Sequence, residues 1–286
     1  MRSKKTMSLK TAIGCLAAVA ALLVQAACAP VSNAPIVTAG GERIIVLEPR
    51  HGVTMAMVVG EPRQPPVATV LLFAGGSGDL GIDTRGGRQT LKKARNFAVR
   101  TRTHLRAAGM VTVVVDSPSD AKNMMGGFRT SPVHADDIAA VIDWMRNAYR
   151  LPIWLHGTSR GTESAANAAV RLGDAISGVV FSSSITVTNL AGTDITELPL
   201  HEIHVPSLIL AHRSDACDKT PPEGAERIRR ALRAVPAAEV RYFDGPVGKG
   251  RACGAAGAHG FVGVTGKAAK AIARFIRDHT DRGGSE

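Results

Sequence analysis

The sequence predicts an α/β fold: a mainly parallel twisted sheet with helices on both faces and an antiparallel N-terminal edge. Three observations carry this. Apolar runs such as VATVLLF, MVTVVV and SLILA lack the polar alternation of a one-sided strand and suit strands buried on both faces. These runs alternate with stretches whose apolar residues recur at helical spacing. The first two strand patterns, ERIIVLEPR and VTMAMVVGEP, are separated only by a His51-Gly52 turn and read as a hairpin.

Before the hairpin comes a leader. Arg2, Lys4, Lys5 and Lys10 form a basic segment, followed by an apolar stretch of signal-peptide length over residues 12–24. Two cuts fit the small residues of LVQAACAP. A general signal peptidase would cut near Ala26 or Ala27. The stretch also resembles a bacterial lipobox with Cys28 as the acylated first residue, although Gln25 stands where Leu is usual. Residues 1–27 are therefore expected to be a signal peptide, 28–41 a tether, and 42–286 one domain.

After the hairpin and VATVLLF, a helical pattern over residues 88–108 ends at Gly109. MVTVVV is the next strand. Ser131-Pro132 supplies an N-cap and first-turn proline for a helix with Ile138, Val141, Ile142 and Met145 on one face. The strand PIWLHG, the helix ESAANAAVRLG, the strands ISGVVFSSS and VPSLILAH, the helix EGAERIRRALRAV, the strand AEVRYFDG and the helix TGKAAKAIARFIRDHT complete the order. Residues 185–204 lack a long helix and read either as a small cap or as a loop.

Composition narrows the function. Of the 286 residues, 45% are hydrophobic and 21% charged, which suits a globular chain; 4% are aromatic, which argues against a stacking platform for nucleic acid. The net charge is +11, of which the leader supplies four, leaving +7 on the mature chain. The looser basic run RIRRALR reads as a solvated helix face, so no nucleic-acid partner is expected. Once the leader is gone, Cys217 and Cys253 remain beside Cys28, and an oxidising compartment favours pairing them over two buried thiols.

Chemistry is concentrated at Gly157-Thr158-Ser159-Arg160-Gly161, a G-x-S-x-G set between a strand and a helix. Glycines leave room for a sharp turn, and the following helix N-terminus favours negative charge. This looks like the nucleophile elbow of the α/β-hydrolase superfamily. The segments NFAVRTRTHLRAAG, VVVDSPSD and HGTSRG likewise resemble secreted bacterial α/β-hydrolase-like proteins. The resemblance implies an α/β-hydrolase fold with Ser159 as nucleophile and an acid and a histidine following in that order. Asp215 stands at the expected distance beyond SLILAH, with Asp218 as competitor. His259 lies in the Gly/Ala-rich loop before the last helix. The oxyanion donors it implies are the N–H groups of Arg160 and Gly76, with Gly75 or Ser77 as alternatives. A Cys217–Cys253 bridge would then tie the acid loop to the histidine loop.

The remaining motifs are weaker. GGSGDLG has no Walker Lys-Ser/Thr and is not taken to match the G-x-G-x-x-G fingerprint, so it is not read as a nucleotide loop. His201 and His204 form H-x-x-H without a third ligand nearby, so no metal or organic cofactor is implied. Met124, Met125 and Phe128 are candidates for an acyl pocket. The expectation is an exported, periplasmic or envelope-attached serine hydrolase acting on a small-molecule ester or related acyl bond. The alternatives are a non-catalytic envelope lipoprotein that binds a ligand or partner, and an acyltransferase or peptidase on the same three residues.

Overall fold

Among the described residues, nine strands form one sheet in the order β1-β2-β3-β5-β4-β6-β7-β8-β9. The structure is a computed structural model that describes residues 36–37, 41–83, 91–235 and 237–280. The leader, Cys28 and most of the expected tether lie outside the described residues. The strands are β1 (Ile36–Val37), β2 (Arg43–Arg50), β3 (Val53–Gly60), β4 (Ala68–Phe73), β5 (Met110–Val115), β6 (Ile153–Ser159), β7 (Gly178–Ser184), β8 (Ser207–His212) and β9 (Ala238–Phe243). The helices are α1 (Phe97–Ala107), α2 (Pro132–Tyr149), α3 (Gly161–Leu172), α4 (Gly224–Ala231) and α5 (Thr265–Thr280).

The pairing divides at β5. From β1 through β3 to β5 the strands run antiparallel, and every pair from β5 to β9 is parallel. The alternation of side chains explains the unbroken apolar runs. In β4, Leu71 and Phe73 point to the core under α2, α3 and α4, while Val70 and Leu72 point to the core under α1 and α5. Leu155 and Trp154 in β6, and Ile209 and Leu210 in β8, divide in the same way. A strand covered on both faces has no polar side to show.

Three boundaries differ from expectation. The tether contributes β1, whose Ile36 pairs with Ile44 and so extends the edge beyond β2. Helix α1 begins at Phe97, because Asn96 has extended backbone angles (φ −55°, ψ 141°) that break any helix from residue 88. Residues 91–96 form hydrogen-bonded turns instead. Helix α4 stops at Ala231, short of Val235. The Ser131 cap holds: its Oγ accepts the His134 N–H at 3.2 Å, with Pro132 next to it.

Residues 185–204 contain two single-turn 3-10 segments, Ile195–Glu197 and Leu200–Glu202. Buried Ile185, Ile195, Leu200 and Ile203 root the excursion. Polar ties clamp it to α3 and α4: Arg160 to Asn189, the Thr193 N–H to Glu163, and Arg227 to Asp194.

Candidate active site

The carboxyl ends of β4, β6, β8 and β9 meet in one crevice, the place where open α/β sheets put their ligands. Ser159 ends the central strand β6 at φ 56°, a left-handed conformation that a serine rarely adopts. The flanking glycines make it attainable. A methyl group on Gly157 would lie 2.2 Å from the Gly161 oxygen, and one on Gly161 would lie 2.2 Å from the Phe73 oxygen. The turn is so tight that α3 touches the end of β4. Thr162 Oγ1 donates to the Ser159 carbonyl at 2.6 Å and closes the corner.

Asp215 follows β8 and His259 sits in a single 3-10 turn, Ala258–Gly260, between β9 and α5. The structure brings them together: His259 Nδ1 lies 3.0 Å from Asp215 Oδ2, and both residues are buried. The other Asp215 oxygen accepts the Cys217 N–H at 3.0 Å. Asp218 instead faces solvent and pairs with Lys219. A proton on Nδ1 directed at Asp215 leaves Nε2 with its lone pair, the tautomer a general base needs.

Other groups fix the histidine. Thr220 Oγ1 donates to Asp215 Oδ2 at 3.0 Å and also lies 3.0 Å from His259 Nδ1. Ser183 Oγ donates to the His259 carbonyl at 2.9 Å, from a backbone at φ 41°. The half-buried Arg100 donates to the Gly260 carbonyl and to Thr265 Oγ1. Of the four described non-glycine residues at positive φ, Ser159, Ser183 and Phe261 cluster here, as strain does at functional sites. Cys217 and Cys253 form a disulfide, Cα–Cα 4.6 Å, that joins the acid loop to the histidine loop.

The loop after β4 faces Ser159. A methyl on Gly75 would meet Ser159 Cβ at 3.0 Å, so this glycine backs directly onto the elbow. Gly76, at φ 63°, lines the cavity beside it, and its N–H meets no acceptor among the described residues. Behind the loop lies Arg129, fully buried. It donates to the carbonyls of Ala74 (2.9 Å) and Gly76 (3.2 Å) and to Ser164 Oγ on α3 (2.7 Å). Burial pushes its pKa down to about 10, countered by Glu163, so it stays charged near neutral pH. Both Arg129 and Thr220 escape sequence reasoning, because neither residue type in its local string differs from a surface residue.

A cavity of about 600 Å³ joins these parts; Ser159, His259, Gly75, Gly76 and Cys253 all lie on its wall. None of residues 185–204 lines it, and neither do Met124, Met125 or Phe128. Met124 and Phe128 pack elsewhere, against Gly78 and the His134 ring. His156 is buried behind the elbow against Ser182. Gly76 to Gly81 does carry the G-x-G-x-x-G spacing, but no helix opens there, since residues 81–83 are irregular. Among the described residues, the one grouping with three metal-ligand atoms close together is Cys217, Asp218 and Cys253, whose sulfurs are joined to each other. His201 and His204 are exposed and outside it.

No protein-family model matches the chain, and no curated protein matches it. Solved structures do. A cold-adapted esterase from an Arctic intertidal metagenomic library superposes with TM-score 0.60 at 15% identity, covering 85% of this chain and 97% of the other. A serine hydrolase without lid from Xanthomonas campestris gives 0.57 at 14% identity, covering 88% and 95%. A dienelactone hydrolase from Anabaena variabilis gives 0.55 at 14% identity, covering 83% and 97%. The chain has the α/β-hydrolase fold.

Proposed function

We propose that the protein is a serine hydrolase that cleaves an ester or related acyl bond through an acyl-enzyme on Ser159. The observation that carries this is His259, paired with the buried Asp215, sharing one cavity wall with a serine held at φ 56°. Ser159 Oγ makes no hydrogen bond among the described residues, so the hydroxyl is free to turn to His259 Nε2 when substrate enters.

In the first step Ser159 Oγ attacks the acyl carbon and its proton passes to His259 Nε2. Asp215 holds the resulting imidazolium, and the N–H groups of Gly76 and Arg160 receive the oxyanion. Collapse breaks the bond to the leaving group, which takes the proton from His259. Water then repeats the sequence: His259 removes its proton, it attacks the acyl carbon, and Ser159 Oγ leaves protonated. The helix α3 N-terminus adds positive potential at the same point. The leader pattern and the disulfide support export, with Cys28 as the residue a lipid would modify.

Labelling with a fluorophosphonate, with the adduct mapped by mass spectrometry, tests this reading. The expected adduct sits on Ser159 and disappears in Ser159→Ala and His259→Ala. A folded, disulfide-intact protein that takes no label would instead make the fold a binding scaffold.

A further inference from the structure

We propose that the cavity selects esters that carry an anionic group, a carboxylate or a phosphate, close to the scissile bond, and that Lys93 and Arg95 read that group. This rests on the serine-hydrolase reading above. One wall is built by residues 91–97, and it brings Lys92, Lys93 and Arg95 to the cavity, while among the described residues no Asp or Glu lines it. The three cations are not equivalent. Lys92 is neutralised by Asp79 at 2.7 Å. Lys93 is partly buried and Arg95 exposed, and neither side chain has a hydrogen-bond or ion-pair partner among the described residues. The Lys93 ammonium overhangs the proposed oxyanion loop: a methyl on Gly76 would lie 3.0 Å from Nζ.

The platform beneath these cations is built, not frayed. The Lys92 N–H donates to the Leu80 carbonyl at 2.9 Å, and the Asn96 N–H to the Lys93 carbonyl at 2.8 Å. Leu80 and Ile82 are in turn held by the buried carboxylate of Asp116 at the end of β5, at 2.7 and 3.3 Å. Asp218, beside the lining Cys253, is already taken by Lys219. Two unpaired cations in a concave wall focus positive potential into the cavity. An ester with its own negative charge gains from that field in the bound state, whereas a neutral ester does not.

The test uses the full mature chain with Ser159→Ala, which cannot turn over. Calorimetric titration compares monomethyl glutarate and phenyl phosphate, both anionic, with neutral dimethyl glutarate. The expected result is binding of at least one anion about tenfold or more tighter than the neutral diester at about 20 mM ionic strength, weakened by added salt. Lys93→Met and Arg95→Gln in the same background should erase the difference. In the serine-intact protein, the kcat/KM ratio for 4-nitrophenyl hemiglutarate over its neutral methyl ester should fall in both variants. Equal binding of anions and diester overturns the proposal. So does an equal slowing of both nitrophenyl esters in Lys93→Met, which would restrict Lys93 to the oxyanion. Preferential anion binding with no turnover of either ester would uphold charge selection and reject the hydrolase reading, so the two fail separately.

Discussion

Thr220 Oγ1 stands 3.0 Å from His259 Nδ1, the same distance at which that nitrogen meets Asp215 Oδ2. The hydroxyl has one proton, which goes to the carboxylate, so its lone pair shares the Nδ1–H. Thr220 is thus a positioning residue for both members of the pair. Thr220→Val keeps the shape and removes the hydroxyl. We expect kcat to fall about tenfold with little change in KM, the cost of about one hydrogen bond to a charged group. Thr220→Ser should restore it. A Val variant with unchanged kcat and pH profile would make the contact incidental.

Arg129 joins the Ala74–Gly76 carbonyls to α3 through Ser164. Arg129→Met would leave those acceptors buried without donors, at about 2–4 kcal/mol in stability. It would also loosen the two peptide units that flank the Gly76 N–H. The expected kinetic signature is a loss in kcat of about tenfold or more, beyond what the folded fraction accounts for, while KM changes little. If the folded variant keeps its kcat, Arg129 is a structural cation and nothing more.

The elbow glycines give a steric test. Gly161→Ala would drive a methyl into the Phe73 carbonyl, and Gly157→Ala into that of Gly161. Either should unfold the elbow or cost several kcal/mol, of the order of overpacking. Gly266→Ala is the contrast. It lies in the first turn of α5, and its nearest atom is His104 Nε2 at 3.9 Å. There the change should be neutral or stabilise by up to about 1 kcal/mol. Urea denaturation of the three variants separates the cases, and equal losses would reject the close approach.

Much of the architecture was legible because its periodicities are local. Eight strands and five helices follow from runs whose length and spacing decide their type, and the Ser131 cap announces α2. The two-residue strand at Ile36 was not legible, since only pairing with Ile44 makes it a strand. The start of α1 was missed because Leu91, Lys92 and Lys93 read as a helix and form turns held by Leu80. The order Ser159, Asp215, His259 could be read as a motif, with Asp215 favoured over Asp218 by its distance beyond SLILAH. That spacing argument is thin for two aspartates three residues apart, whereas in space one meets His259 and the other Lys219.

The disulfide gives a further prediction. It spans 36 residues of chain, and opening such a loop costs about 3–4 kcal/mol in the chain-entropy picture. Cys217 also supplies the N–H that holds Asp215 Oδ1. Cys217→Ala with Cys253→Ala should lower the urea midpoint and reduce kcat. Equal stability of this double variant and the oxidised parent would show that the bridge constrains nothing.

Two buried imidazoles set a pH dependence. Burial pushes His134 and His156 from 6.5 down to about 3 in the fold; for His134, Arg129 and Arg50 add to the shift. Between these values the unfolded chain binds protons that the folded chain refuses. Stability is therefore fully present above about pH 6.5 and is lost as pH falls toward 3, by about 1.4 kcal/mol per pH unit for each histidine. The Glu163 carboxyl, raised by burial, opposes the trend, so the slope is best read against His156→Gln. That variant should show a flatter dependence of the urea midpoint between about pH 7 and about pH 5. An unchanged slope would mean that His156 is not buried neutral.

Every residue of α3 from Gly161 to Ala169 is buried, and most are alanine, glycine, serine or threonine. Small side chains let the helix sink between the sheet, α2 and the 185–204 excursion until water no longer reaches its first two turns. A helix dipole on a protein surface is blunted by the solvent around it. This one is sheathed along its first half, while Ser159 and Arg160 at its N-terminal end are only half-buried. Its field leaves the protein at Ser159, where the proposed acyl transfer would build negative charge. The alanines of α3, none of which lines the cavity, thereby act as electrical insulation for the serine they follow.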